Sequence, residues 1–206
     1  MLVVQSPCTM SLLPRVGKLV LSRTALLVCD IQEKFRSQIA HFDAITEVSS
    51  RMLQAAKILG IRTVITEMYP KVEKPPPRES SLGKTVQELG DLSGIPVIPK
   101  TAFSMYTDEV AQVLELGKQI DSVWLCGLET HVCVQATALD LVERGAQVHC
   151  IMDACSSRNM VDRPARCGEV VEFIRSRVNI VGSDLPEIAV YSDSIDCNSS
   201  NNSRSL

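Results

Sequence analysis

The sequence predicts an α/β domain of three layers, an open and mainly parallel doubly wound sheet with helices on both faces. Short apolar runs bounded by turn residues, suited to strands buried on both sides, alternate with segments of helical spacing. Such alternation means parallel strands joined by right-handed helical crossovers. The length, 206 residues, suits one domain with a sizeable core rather than two.

The elements follow in order. "TALLVCD" (24–30) is a continuous apolar run closed by an acid, the mark of a buried central strand. In "FDAITEVSSRMLQAAKILG" (42–60), Ile45, Val48, Met52, Ala55, Ala56 and Leu59 share one side, and Gly60 stops the helix. "IRTVITE" (61–67), "IPVIPK" (95–100), "DSVWLCG" (121–127) and "AQVHCIMD" (146–153) supply strands two to five. "DEVAQVLELGK" (108–118) and "CVQATALDLVERG" (133–145) read as the amphipathic helices between strands three, four and five. Past Pro164 the pattern is ambiguous, with "GEVVEFIRSR" open to a helix and "VNIVG" to a short sixth strand.

This divides the chain into an arm (1–22), one domain (23–190) and a polar, low-complexity tail (191–206) expected to be disordered. Within the domain, "PKVEKPPPRESS" (70–81) reads as an inserted mobile loop and 164–190 as a divergent end. From Met1 to Cys29 there is no acidic residue, while Arg15, Lys18 and Arg23 are basic. Mitochondrial import therefore stands as the alternative to a cytoplasmic location.

The formal net charge is −3 with no basic stripe or charge block, which argues against nucleic acid or anionic membrane as partner. Every apolar run is interrupted before it could span a bilayer. Eight cysteines form no C-x-x-C pair, and Cys29, Cys126 and Cys150 lie inside strand-like runs. Buried free thiols in a reducing compartment fit that pattern better than a disulfide framework. His149, Cys150 and Cys155 match no usual zinc spacing.

Ligands of open α/β sheets bind beyond the carboxyl ends of strands, near the point where strand order reverses. The residues expected there are Asp30, Glu67, Lys100, Gly127 to Cys133, and Asp153. No G-x-G-x-x-G follows a strand, and G-x-S-x-G is absent, so neither dinucleotide binding nor a serine elbow has support. Cys133 falls near the start of a helix that Thr130 can cap, where unpaired N–H groups and the helix dipole favour a thiolate. Asp30 closes strand one and can take the thiol proton; Lys100 closes strand three and can stabilise the thiolate. On position alone, a packing role and a nucleophilic role for Cys133 both stay open.

"LLVCDIQEKFR" (26–36), "VIPKTAFSM" (97–105) and "GLETHVCVQATALDL" (127–141) resemble the three signature segments of the isochorismatase-like cysteine hydrolases. "TEMYPK" (66–71) and "DACSSRNMVDR" (153–163) narrow the resemblance to the isochorismatase domain-containing proteins of animals. The resemblance implies a Rossmann-like fold and a triad of Asp30, Lys100 and Cys133. It implies also a cis peptide between Leu128 and Glu129, and an oxyanion hole from the backbone N–H groups of Glu129 and Cys133. Gln32, Phe35, Tyr69 and Phe103 are the expected walls of a pocket for a small amide or related substrate. Nicotinamidases of the family hold a metal with an aspartate and histidines after strand two; "TEMYPKVEK" has neither, so no metal and no cofactor are expected. A homo-oligomer is the expected assembly.

Two departures keep an alternative in play. "VEKPPPRESS" intervenes where relatives turn at once, and the chain after Arg163 matches the family's closing helix, strand and helix only loosely. The alternative is a catalytically inactive binding or scaffold protein of the same fold, or an isoform with a defective C-terminus.

Overall fold

A computed structural model describes residues 19–69, 82–158 and 178–181. The N-terminal arm as far as residue 18, the 70–81 insertion, most of the divergent end and the tail lie outside the described residues, as does the helix considered for "GEVVEFIRSR".

Strand β1 (Thr24–Cys29) is buried at every position, as its unbroken apolar run requires. Around it are laid α1 (Phe42–Leu59), β2 (Arg62–Met68), β3 (Val97–Lys100), α2 (Asp108–Leu114), β4 (Ser122–Leu128), α3 (Gln135–Glu143), β5 (Gln147–Ser156) and β6 (Val178–Val181). The strands pair in the order β3-β2-β1-β4-β5-β6, and every pairing is parallel. The short strand considered at "VNIVG" is β6, paired with β5.

From β1 the chain winds outward to β2 and β3, then returns to place β4 on the other side of β1. The β1–β2 and β4–β5 crossovers therefore run in opposite directions, and right-handed connections put α1 and α3 on opposite faces. That is the doubly wound fold. The switch of direction lies between β1 and β4, and their carboxyl ends open the crevice where such sheets bind ligands.

Local chemistry explains the element ends. Gly60, at φ 66, ends α1 in the left-handed conformation that costs glycine least. The helix expected over 108–118 stops at Leu114, because Glu115 turns left-handed and Leu116 then bridges Ile120. Thr107 caps it, its hydroxyl accepting from the Val110 N–H at 3.4 Å. The register of β4 on β5 slips between Leu125 and Gly127, whose partners are Cys150 and Cys155. A bulge in β5 takes up the extra residues and carries Ser156 to the end of β4.

Candidate active site

Three strand ends at the carboxyl edge carry non-glycine residues in the left-handed region: Asp30 (φ 52) after β1, Tyr69 (φ 44) after β2 and Glu129 (φ 57) after β4. Each costs on the order of 1–3 kcal/mol of backbone strain, which persists where surrounding structure enforces it and concentrates at functional sites.

Asp30 is 1% exposed, and its carboxylate is fully engaged. Oδ1 accepts from the Thr66 hydroxyl at 2.8 Å, and Oδ2 meets the Lys100 ammonium at 2.6 Å and the Cys29 thiol at 3.4 Å. Lys100 also donates to the carbonyls of Ala102 and Phe103, both at 3.0 Å, and its Nζ lies 3.4 Å from Met68 Sδ. The ammonium is thus locked between the ends of β1, β2 and β3. Burial alone pulls its pKa down, yet the surrounding Cys29, Asp30 and Cys133 outweigh that and hold it above the ordinary lysine value.

Cys133 joins this pair from the other side of the switch point. Its Sγ, the Cys29 Sγ and an Asp30 carboxylate oxygen all lie within 4.8 Å of one another, close enough for direct contact or one bridging water. Met68 Sδ is 3.8 Å from Cys133 Sγ. Glycine at 127 makes the approach possible: at φ 134, a Cβ there would fall 2.2 Å from the Cys29 carbonyl oxygen and 2.6 Å from its Cβ. The helix bearing Cys133 does not start as the sequence predicts. Thr130–Val134 form a π turn with the Val134 N–H reaching the Glu129 carbonyl at 3.4 Å, and Glu129, not Thr130, is the cap residue. The Thr130 hydroxyl is buried without a partner among the described residues.

Residues that the sequence reading passed over hold the frame. Thr137 donates to the Cys133 carbonyl at 2.6 Å and accepts from the Met105 N–H at 2.9 Å, tying the turn that bears Cys133 to the loop after Lys100. Arg158 grips the Glu129 carboxylate at 2.7 Å, while His131 Nδ1 lies 3.8 Å from its other oxygen and 3.0 Å from the Ser157 hydroxyl. The segment just after β5 and the elbow after β4 are thereby joined. Arg158 lies 29 residues from Glu129 in sequence, so spacing gives no signal for that pair.

The four expected pocket walls divide into two pairs. Tyr69 and Phe103 lie just beyond the ends of β2 and β3, 40% and 58% exposed. Gln32 is fully buried, and its amide is committed to backbone: it donates to the carbonyls of Met68 (3.1 Å) and Gly83 (2.7 Å) and accepts from the Met68 N–H (2.8 Å). Phe35 belongs to the hydrophobic core. Neither presents an open surface, since one braces the end of β2 and the other packs.

An acid at the end of a central strand, a locked lysine and a cysteine at the head of the crossover helix thus meet at the carboxyl edge of an open α/β sheet. Residues 24–176 match the isochorismatase domain, and the chain belongs to that family, whose members are hydrolases. It is 47% identical to isochorismatase domain-containing protein 2 of Xenopus laevis over 154 residues, covering 75% of this chain and 70% of that one. Among solved structures, the MAR1 ribonuclease of Caenorhabditis elegans is 37% identical with a TM-score of 0.69, covering 81% of this chain and 80% of that one. The pyrazinamidase of Pyrococcus horikoshii, solved in complex with zinc, shares the fold at 24% identity and a TM-score of 0.63, covering 78% of this chain and 99% of that one.

Among the described residues at the end of β2, the acid is already engaged. Glu67 is the acid at that place, and its carboxylate is taken by the Lys84 ammonium (3.3 Å) and by the N–H (2.7 Å) and hydroxyl (2.9 Å) of Thr85. Among the described residues, only Cys29, Asp30 and Cys133 group enough donors, and there the Lys100 cation already sits on Asp30.

Proposed function

We propose that the chain is a metal-independent cysteine hydrolase acting on a small amide or related substrate through Cys133, Asp30 and Lys100. The observation that supports this best is the buried Asp30–Lys100 pair, 2.6 Å apart, within reach of Cys133 at the switch point. Asp30 takes the Cys133 proton, and the thiolate attacks the substrate carbonyl carbon. The N–H groups of Glu129 and Cys133 receive the developing oxyanion, which the strained elbow at Glu129 aims. The amine leaves with the proton held by Asp30, and water, activated by the same carboxylate, releases the acid from the thioester. Tyr69 and Phe103 form the mouth through which the substrate enters.

Small substrates fit because the reacting groups are deeply set, with Asp30, Lys100 and Cys133 only 1%, 3% and 5% exposed. The likeness to a protein named as a ribonuclease makes RNA cleavage a second reading. It would require a phosphodiester backbone to reach that depth. We place the protein in the cytoplasm on its free thiols, which include Cys29, Cys126 and Cys133. We expect a homo-oligomer, because β3 ends the sheet with Val97 partly exposed. No helix among the described residues is long and apolar enough to cross a membrane.

The test is a screen of small amides and an RNA oligonucleotide with wild type and Cys133→Ala, alongside iodoacetamide labelling across pH. Amide turnover lost by at least a hundredfold in the variant, with fast labelling of Cys133, is expected. Equal turnover in the variant, or a Cys133 that labels no faster than a free thiol, overturns the reading.

A further inference from the structure

The catalytic scheme above has no use for Cys29, yet this thiol sits inside the site. It closes β1, is fully buried, and its Sγ lies 3.4 Å from Asp30 Oδ2 and within 4.8 Å of Cys133 Sγ. Side chains of adjacent strand residues normally point to opposite faces. Here Asp30 leaves the strand at φ 52, so neighbouring residues turn their functional groups together. Gly127, opposite Cys29 in the ladder, lets the two strands approach closely there, since a Cβ would fall 2.6 Å from that of Cys29. The result is two thiols served by one carboxylate.

We propose that Cys29 and Cys133 form a dithiol site for modification by hydroperoxides, in which Cys133 is oxidised first and Cys29 resolves it as a disulfide. The proposal rests on the reading of Cys133 as the reactive nucleophile. In the first step the Cys133 thiolate attacks one oxygen of hydrogen peroxide. The O–O bond breaks, Cys133 becomes a sulfenic acid, and the departing hydroxide takes the proton held by Asp30 and leaves as water. In the second, Asp30 accepts the Cys29 proton, the Cys29 sulfur attacks the sulfenic sulfur, and the S–O bond breaks. The leaving hydroxide takes that proton, so the pair loses two electrons, peroxide gains two, and two waters form. Closing the sulfurs to the disulfide length of about 2 Å needs side-chain rotation and a small shift of the first turn. The disulfide removes the nucleophile until a dithiol reduces it, and it spares Cys133 from sulfinic acid. Cys126 is a poor competitor, because its Sγ faces the Leu27 carbonyl at 3.7 Å.

The experiment treats the reduced full-length chain with equimolar hydrogen peroxide and maps it by tryptic peptide mass spectrometry. Cys29 falls in the peptide 24–34 and Cys133 in 119–144 with Cys126, and fragmentation between 126 and 133 tells the two apart. The expected product is a Cys29–Cys133 cross-link that dithiothreitol reverses, restoring iodoacetamide labelling of Cys133. In Cys29→Ser, dimedone should trap at least tenfold more Cys133 sulfenic acid, and labelling should not return after reduction of overoxidised protein. Cys133 sulfenic acid that accumulates in the wild type with no link to Cys29, or that links to Cys126 or Cys155, overturns the proposal and leaves the nucleophile standing. A Cys133 that is neither oxidised nor alkylated faster than Cys126 overturns the nucleophile itself.

Discussion

Asp30 and Lys100 are a buried charge pair whose desolvation is offset by many partners: the carboxylate has Thr66 and Cys29, the ammonium two carbonyls. Breaking such a pair from one side leaves a buried charge unpaired and costs about 3–5 kcal/mol, whereas replacing both partners costs far less. Lys100→Met should therefore lower the unfolding free energy by about that amount in urea titrations, and Asp30→Asn added to it should recover most of the loss. A single variant as stable as the double would show that the charges hold little of the local fold. The sequence could single out Asp30 and Lys100 because each closes a strand that the apolar pattern declares, and Cys133 because it stands near a helix start. Cys29 was not, since strand alternation places it away from Asp30 and only the left-handed turn at Asp30 undoes that. Gln32 misled for a related reason: a polar residue beside a catalytic acid reads as a pocket wall, but its amide links Met68 and Gly83.

At the scale of elements, the pairing of β1 with β4 is what brings the two halves of the site together. Cys29 stands opposite Gly127 in that ladder, and the glycine has no room for a methyl group against backbone atoms. Gly127→Ala is expected to cost at least about 4 kcal/mol, read as loss of soluble protein or of the cooperative urea transition. A variant within about 1 kcal/mol of wild type would mean that β1 and β4 can separate freely at their ends. The first five strands were visible as apolar runs, each with an end misplaced by one to three residues, the largest at the end of β5. The π turn at Thr130–Val134 was not visible. Thr130 has the chemistry of a cap, and nothing in the local pattern reveals that the chain enters the helix one residue earlier, through Glu129. The shortening of α2 was hidden likewise, because Glu115 reads as helix until tertiary contact bends it.

For the whole molecule, the buried thiols set the response to alkali. Burial pushes Cys126 up to about 12, with Ser49 opposing, and it pushes Cys29 well above the ordinary thiol value, aided by Cys133 and the charge of Asp30. Unfolded thiols ionise near pH 8.5, so above that pH the unfolded chain has released protons that the native state still holds. Stability is then full below about pH 8.5 and falls as pH rises toward the folded values, by about 1.4 kcal/mol per pH unit for each thiol. The raised lysine at 100 adds a loss of the same sign above its unfolded value of about 10.4. Urea midpoints measured from pH 7 to 11 should be level at first and then decline, with a shallower decline in Cys126→Ala; a profile unchanged by that substitution would show Cys126 ionising freely in the fold. The strand order has a further consequence, for how the molecule comes into being. β1 must find β4 roughly a hundred residues away, and it must do so in parallel, the slowest kind of pairing to nucleate. The carboxylate at the end of β1 therefore waits for the thiol of Cys133 until the sheet has closed across its centre. During folding, Asp30 and Cys133 are expected to come together late, after the core that shelters them has formed.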